Sequence, residues 1–195
     1  LGKVEWLCKN ILNILFDYKN RYFTRHALKY VTDKEYDMVF CSTFHTFGLR
    51  AAHKIAQQKQ IPLHIDLRDI AEQCANNAYS KALSSSSFNL ISKLYRQLNI
   101  WRRNKILRKA DSLSSVSPWH VAYLSQFNPN THLIYNGYDE KRFYPMKVKS
   151  ERFKIVYAGK WYGKSLQDPT LLFEALVEID KPLIDIVWYT NAEMH

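Results

Sequence analysis

Asp37-Met-Val-Phe-Cys41, then Thr43 to Gln58, then Ile61-Pro-Leu-His-Ile-Asp-Leu67 set a strand–helix–strand rhythm. The first and last segments are short apolar runs. The last is entered through Pro62, a residue that strand starts accept. Between them Phe47, Ala51 or Ala52, and Ile55 recur at helical spacing. Short apolar strands separated by helices predict an α/β fold with a Rossmann-like parallel sheet covered by helices on both faces.

The rhythm continues on either side. Residues 3–16 read as a helix, with Leu7, Ile11 and Ile14 or Leu15 at three- and four-residue steps, and Arg21 to Val31 reads as a second. Leu113 to Val116 reads as a strand. Ser117 then stands at an N-cap with Pro118 in the first turn, where no N–H donor is needed, and the helix runs on through Val121, Leu124 and Phe127. A helix start at a strand end offers backbone N–H groups to an anion, although ordinary capping accounts for Ser117 by itself. His120, in that first turn, reads as a surface or packing residue. Leu133, Ile134 and Tyr135 form a further strand end. Asn136-Gly137 follows as a pair that tolerates positive φ and lets the backbone turn sharply. Pro145 and the polar run Lys147 to Arg152 separate this part from a new strand, Phe153 to Ala158, which ends in Gly159. Lys160 to Asp168 is a loop, Pro169 opens a helix through Ile179, and Ile184 to Tyr189 is another strand.

Composition narrows the class. Apolar residues make up 47% of the 195, enough for a core and against wholesale disorder. The apolar runs are far shorter than a membrane span. Cys8, Cys41 and Cys74 are widely spaced and form no Cys-x-x-Cys ligand set. They read as small residues of a reducing compartment, which makes a cytoplasmic location the expectation. The net charge of +10 points to an anionic partner.

Much of that charge lies on Phe88 to Lys109, which carries Lys93, Arg96, Arg102, Arg103, Lys105, Arg108 and Lys109 and no acidic residue. Ile91, Leu94, Tyr95, Leu98 and Trp101 form an apolar stripe at helical spacing. The stripe packs on a sheet with the charges solvated, or the basic edge meets an anionic membrane surface, or both hold together. No nucleic-acid-binding motif accompanies these residues, so no nucleic acid partner is expected. The polar loop Arg68 to Ser87 is long enough to be functional or mobile. At its start Asp66-Leu-Arg-Asp69 sits at a strand's carboxyl end, where doubly wound sheets gather ligands. Arg68 suits a phosphate or carboxylate, with Asp66 or Asp69 orienting it; a structural Asp–Arg pair fixing the loop explains the same residues. The tetrad is not Asp-x-Asp, and no metal site is expected.

Several of these segments, in this order, resemble the retaining GT-B glycosyltransferases of the bacterial mannosyltransferase and polysaccharide glycosyltransferase type. The strand followed by Asn136-Gly-Tyr-Asp139 and then Phe143-Tyr-Pro145 is similar to that family's interdomain crossover, with Tyr135 and Tyr138 replacing its usual proline and valine. Asp37 to Asp69, Ala110 to Ser117 and Tyr157 to Ala175 resemble further family patterns. The resemblance implies residues 1–146 as the rear of an acceptor domain and 147–195 as the start of a nucleotide-sugar donor domain. It implies Asp66, Arg68 and Asp69 as the catalytic, acceptor-side set. Ser117, Asn136 and Gly137 would line the interdomain cleft. Gly159, Lys160, Gly163 and Lys164 would receive the donor diphosphate, with the choice between the two lysines open. It implies no cofactor beyond a nucleotide-sugar donor, a saccharide or lipid-linked acceptor, and a cytoplasmic place, peripheral at the membrane. The family's paired donor-site glutamates do not occur before His195, so the chain is expected to be an internal fragment, inactive by itself, with apolar surface left open after residue 153. Two other readings stand beside this one: a GT-B-like sugar-nucleotide epimerase, and a non-catalytic module that binds anionic membrane surfaces through 88–109.

Overall fold

The computed structural model describes residues 11–43, 46–73, 89–146, 151–161, 168–179 and 184–190, with the backbone alone at 89–93. Two compact units divide the chain, Leu1–Gly137 and Tyr138–His195.

The first unit is a Rossmann-like α/β layer. Its strands β1 (Val39–Ser42), β2 (Leu63–Asp66), β3 (Ser112–Ser115) and β4 (Thr131–Leu133) are all parallel and lie in the order β1-β2-β3-β4. Helices α1 (Tyr18–Val31), α2 (Leu49–Lys59), α3 (Asn89–Leu107) and α4 (Pro118–Leu124) flank them. Leu63, Ile65, Leu113, Leu49, Leu107 and Leu124 are fully buried and form the centre of the core. Ala52 and Ala56 join the same core, their small side chains bringing α2 close to its neighbours.

Local chemistry sets the element ends. Residues 11–16 are helical, and the chain breaks at Asp17, whose φ is 53°; residues 3–10 of the expected first helix lie outside the described residues. The expected helix from Thr43 begins six residues later, at Leu49, because Gly48 takes a φ of 84° that suits glycine and interrupts the helix. Asn128 closes α3. It is buried, and its Nδ2 donates to the Leu107 and Ala110 carbonyls at 3.1 and 2.7 Å, groups a helix end otherwise leaves unmatched.

Two expectations are corrected here. Neither Asn136 nor Gly137 has a positive φ, and residues 134–139 run on without a turn. The turn comes at 140–142, where the Asp139 carboxylate accepts from Lys141 N at 3.0 Å and its carbonyl accepts from Phe143 N at 2.9 Å. An Asx-type turn at the aspartate replaces the flexible pair.

The other correction concerns the basic helix. Leu94 and Trp101, half of the described apolar stripe, are 64% and 52% exposed, whereas Arg103 is 2% exposed. The inward face runs through Arg96, Ile100, Arg103 and Leu107, about 200° around the helix from Leu94, Leu98, Trp101 and Lys105. The cause is a buried ion pair. Arg103 donates from Nη1 and Nη2 to both oxygens of Glu72, at 2.9 and 2.5 Å, and Tyr123 Oη donates to the same carboxylate at 3.0 Å. Glu72 lies in the short 3₁₀ turn Ala71–Gln73, where Arg96 also donates to the Ala71 carbonyl at 2.6 Å. Arg102 turns inward too, to the Ile14 carbonyl at 2.8 Å. Arg103 is therefore a structural cation, not part of a solvated or lipid-facing edge, and Arg102 is tied into the fold through one of its guanidinium nitrogens.

The second unit is a parallel pair, β5 (Phe153–Ala158) and β6 (Ile184–Tyr189), joined through α5 (Thr170–Ile179). Tyr157, Trp161 and Trp188 cluster edge to face and tilted, with centroids 4.7 to 6.4 Å apart. The open apolar surface expected here is present: Phe153 and Val156 on β5 and Leu171 and Val177 on α5 are more than half exposed. Among the described residues, no helix is long and apolar enough to cross a membrane.

Burial alone would raise the Glu72 carboxyl, but the hydrogen bonds and charge of Arg103, with help from Tyr123, hold it below its ordinary value. Glu72→Gln is expected to cost about 3–5 kcal/mol at neutral pH, since it leaves a buried guanidinium uncompensated. A depressed folded-state pKa means that this contribution is complete above the unfolded carboxyl pKa and is lost as pH falls through the folded one. The gap between wild type and variant in urea unfolding should therefore close below about pH 4. An unchanged gap across that range would count against the pair.

Candidate functional site

Parallel strands align their carboxyl ends, so the residues that close β1 to β4 meet along one edge of the sheet. Asp66 ends β2 there, half-buried. Ser42 Oγ of β1 donates to its Oδ2 at 3.0 Å, and Ser114 Oγ of β3 donates to its Oδ1 at 2.7 Å. The backbone repeats the tie, with Thr43 N donating to the Asp66 carbonyl at 3.0 Å and Leu67 N to the Ser114 carbonyl at 2.9 Å. Asp66 is thus a fixed acceptor spanning three strands.

His64, two residues earlier on the same face, extends the row. Its Nε2 lies 2.9 Å from Ser114 Oγ and its Nδ1 lies 2.7 Å from Ser112 Oγ, while its ring stacks on Phe40 at 5.4 Å. Because Ser114 gives its proton to Asp66, its lone pairs receive from His64. A neutral imidazole in this network carries its proton on Nε2 and accepts from Ser112 at Nδ1. The order histidine–serine–aspartate places the hydroxyl in the middle, and Ser114 is 1% exposed. A nucleophile needs access and a base acting on its hydroxyl, so this row positions Asp66 and attacks nothing.

Beyond β2 the loop rises from Leu67 to Ile70. Arg68 is exposed, and its Nη2 donates to Asn136 Oδ1, linking the loop after β2 with the segment after β4. Asp69 is exposed beside it. Ser117 caps α4, accepting from His120 N at 3.2 Å from an extended backbone. That helix is seven residues long, and capping accounts for Ser117 in full. His120 is buried rather than at the surface, edge-on to Trp119 at 5.3 Å. Gly137 is exposed, with open space where a side chain would stand.

Of the expected residues, the first unit therefore joins Asp66 and its loop, Arg68 and Asn136 at one sheet edge. Gly159 and Lys160 belong to the second unit, at the carboxyl end of β5. Gly159 N donates to the Tyr189 carbonyl at 3.0 Å, and Tyr157 Oη donates to the Lys160 carbonyl at 3.0 Å. A Cβ on Gly159 would lie 3.3 Å from Tyr157 Oη, so the tyrosine is one reason for a glycine there. Gly163 and Lys164 lie outside the described residues. Among the described residues, no group of three or more His, Cys, Asp or Glu side chains gathers to hold a metal ion.

The residues that the sequence reading passed over are Ser42, His64, Ser112 and Ser114. Their signal is period-two alternation, His64-x-Asp66 beside Ser112-x-Ser114, but it acquires meaning only through the register His64↔Ser112 and Asp66↔Ser114. Ser114→Ala should cost about 1–2 kcal/mol in chemical unfolding, because it removes one buried hydrogen bond to a carboxylate and one to an imidazole. Nitrogen-detected NMR of His64 should show the proton on Nε2 in the wild type and a mixture of tautomers in the variant. A cost near zero with unchanged tautomers would show the row to be incidental. Compared with known proteins, the chain matches no protein-family model and no curated protein sequence.

Proposed function

We propose that this chain belongs to a glycosyl-transfer machine in which a sugar passes from a nucleotide-sugar to a hydroxyl of a lipid-linked or polysaccharide acceptor with retention of configuration. The observation that carries the reading is the carboxyl edge of the parallel sheet. There a braced carboxylate, Asp66, stands two residues from an exposed guanidinium, Arg68, whose side chain is bonded to Asn136. Carboxyl edges of such sheets are where nucleotide-type folds place ligands. The motif order described above supports the same reading.

In this scheme Asp69 and Arg68 face the acceptor, and Asp66 holds the loop that carries them. Gly159 and Lys160 follow β5 as the donor side. The leaving group is a nucleoside diphosphate, and its developing charge is met by the ammonium of Lys160 or Lys164 and by nearby backbone N–H groups. Catalysis is then mostly positioning and electrostatic stabilisation, with no metal required. A lipid-linked acceptor would place the chain near a membrane, and the widely spaced cysteines support a reducing, cytoplasmic setting. A surface module acting without chemistry has less support, because Arg103 of the basic helix is buried in an ion pair.

Saturation-transfer NMR against a panel of uridine and guanosine diphosphate sugars tests the donor side. One member should bind saturably, and Lys160→Ala should weaken it about tenfold, roughly 1.4 kcal/mol. Arg68→Ala should leave donor affinity unchanged and lower transfer to a saccharide acceptor in the protein that carries this chain. Recovery of free epimerised nucleotide-sugar in place of a glycosylated acceptor would convert the reading to an epimerase. Absence of any saturable nucleotide-sugar would remove it.

A further inference from the structure

Away from the sheet edge, the helical layer of the first unit encloses a groove of about 440 Å³. Side chains from α1, α2, the last turns of α3 and the residues adjoining them line it, and no residue of β1 to β4 contributes. Six cations border the groove: Arg21, Arg50, Lys54, Arg102, Lys105 and Lys109. Among the described residues, a single carboxylate, Asp17, stands with them.

That carboxylate is already engaged. It is 8% exposed, accepts from Asn20 Nδ2 at 2.7 Å, and lies 3.7 Å from Arg50 Nη1 and 3.8 Å from Arg102 Nη1. Its effect is to hold two guanidinium groups, one from α2 and one from α3, toward the same space. The Ile14 carbonyl holds Arg102 from the other side at 2.8 Å. Lys54 bonds only to the neutral Gln57, at 3.2 Å, and the Lys105 ammonium lies over the Trp101 ring, 3.7 Å from its centroid. Among the described residues, Arg21, Lys54, Lys105 and Lys109 have no carboxylate at ion-pair distance. His53, also in the lining, registers the field they create: burial first, then Lys109 and Lys54, push its imidazole below the ordinary value.

Like charges converging on a concavity repel one another, and a solvated basic face disperses its charges instead. Here six cations, on α1, on α2 and on or just after the end of α3, border one concavity. We propose that the groove is a binding site for a phosphate-bearing anion, seated between Arg50 and Lys54 of α2 and Arg102 and Lys105 of α3. A phosphate suits it better than a carboxylate. Its free oxygens point in more than one direction and accept from donors on more than one side, and a monoester or diphosphate adds a second charge. The site stands apart from the glycosyl-transfer reading, since it shares no residue with Asp66, Arg68, Asp69, Ser117 or Asn136. The phosphate belongs either to a soluble ester or to a lipid headgroup, and the chemistry of capture is the same.

Calorimetric titration of the full chain with inorganic pyrophosphate, run beside sedimentation with phosphatidylcholine vesicles with and without phosphatidylserine, separates those sources. The double variant Lys54→Gln, Lys105→Gln removes two exposed groove cations. Arg25→Gln, Lys29→Gln removes the same charge from exposed positions of α1 outside the lining. The groove variant should weaken binding at least about tenfold and the control less than about threefold. Lys54→Arg, Lys105→Arg should restore it. Pyrophosphate binding without vesicle retention assigns a soluble phosphate ester. Retention on phosphatidylserine vesicles that pyrophosphate competes away assigns a headgroup. Equal losses in the groove and control variants would reduce the effect to general charge and overturn the site. So would the absence of saturable binding in both assays.

Discussion

The buried pairing of Arg103 with Glu72 constrains three elements of the first unit at once. It ties the last turns of the longest described helix to the short turn that follows β2, and through Tyr123 it adds α4. Taking both charges out of water is costly, and two parallel hydrogen bonds with a phenol as third partner offset much of that cost. What the pair contributes is specificity as much as stability. A hydrophobic residue at 103 would pack in many rotations of the helix, whereas a guanidinium facing a fixed carboxylate selects one. The same pair reaches the candidate site. Glu72 lies three residues beyond Asp69, so the loop bearing Arg68 is clamped at its far end while Asp66 is held by Ser42 and Ser114 at its near end.

That selection explains where the sequence misleads. Hydrophobic periodicity weighs each residue by its own polarity, and on that basis Leu94, Leu98 and Trp101 belong inside. The residue that decides the helix rotation is charged, and its partner is 31 positions away on a turn with no periodicity. Nothing local announces it. By contrast, β6 and the start of β5 fall where the apolar runs put them, and Ser117-Pro118 marks the start of α4, because these signals are carried by adjacent residues. Helix α2 starts late for a similarly local reason that was misjudged: Gly48 outweighs the helical spacing of Phe47. At Asp139, a side chain able to bond its own backbone outweighs the permissiveness of Asn136-Gly137.

The candidate edge was legible only in part. Asp66 and Arg68 stand out because a strand end followed by charged residues is a linear pattern. The hydroxyls that give Asp66 its setting come from positions 24 and 48 residues distant, and the imidazole beside them joins Ser114 across 50. Serines at alternate strand positions are unremarkable individually. Parallel pairing brings them into one row, and the register that does so is a property of the sheet and not of any one segment. The consequence for chemistry is direct. Seen alone, Asp66 resembles an available acid or base, whereas within the row it is an anchored acceptor, and Arg68 with Asp69 is the exposed part of the loop.

One rotation also links the core to the surface. Turning Arg103 inward requires positions about 200° away to face out. Those positions hold Trp101 and Lys105, which together border the basic groove. Arg102, one residue before the pair, is carried to the groove's flank, where Asp17 and the Ile14 carbonyl receive it. The excess positive charge of the chain is therefore not spread evenly over a solvated helix. Arg103 is neutralised inside, Arg96 and Arg102 are bonded to backbone carbonyls, and Lys105 and Lys109 are gathered with α2's Arg50 and Lys54 around a concavity. A substitution that released Arg103 would be expected to disperse that gathering as well as loosen the core. The stability of the sheet layer and the charge of the groove thus depend on one and the same choice of helix face.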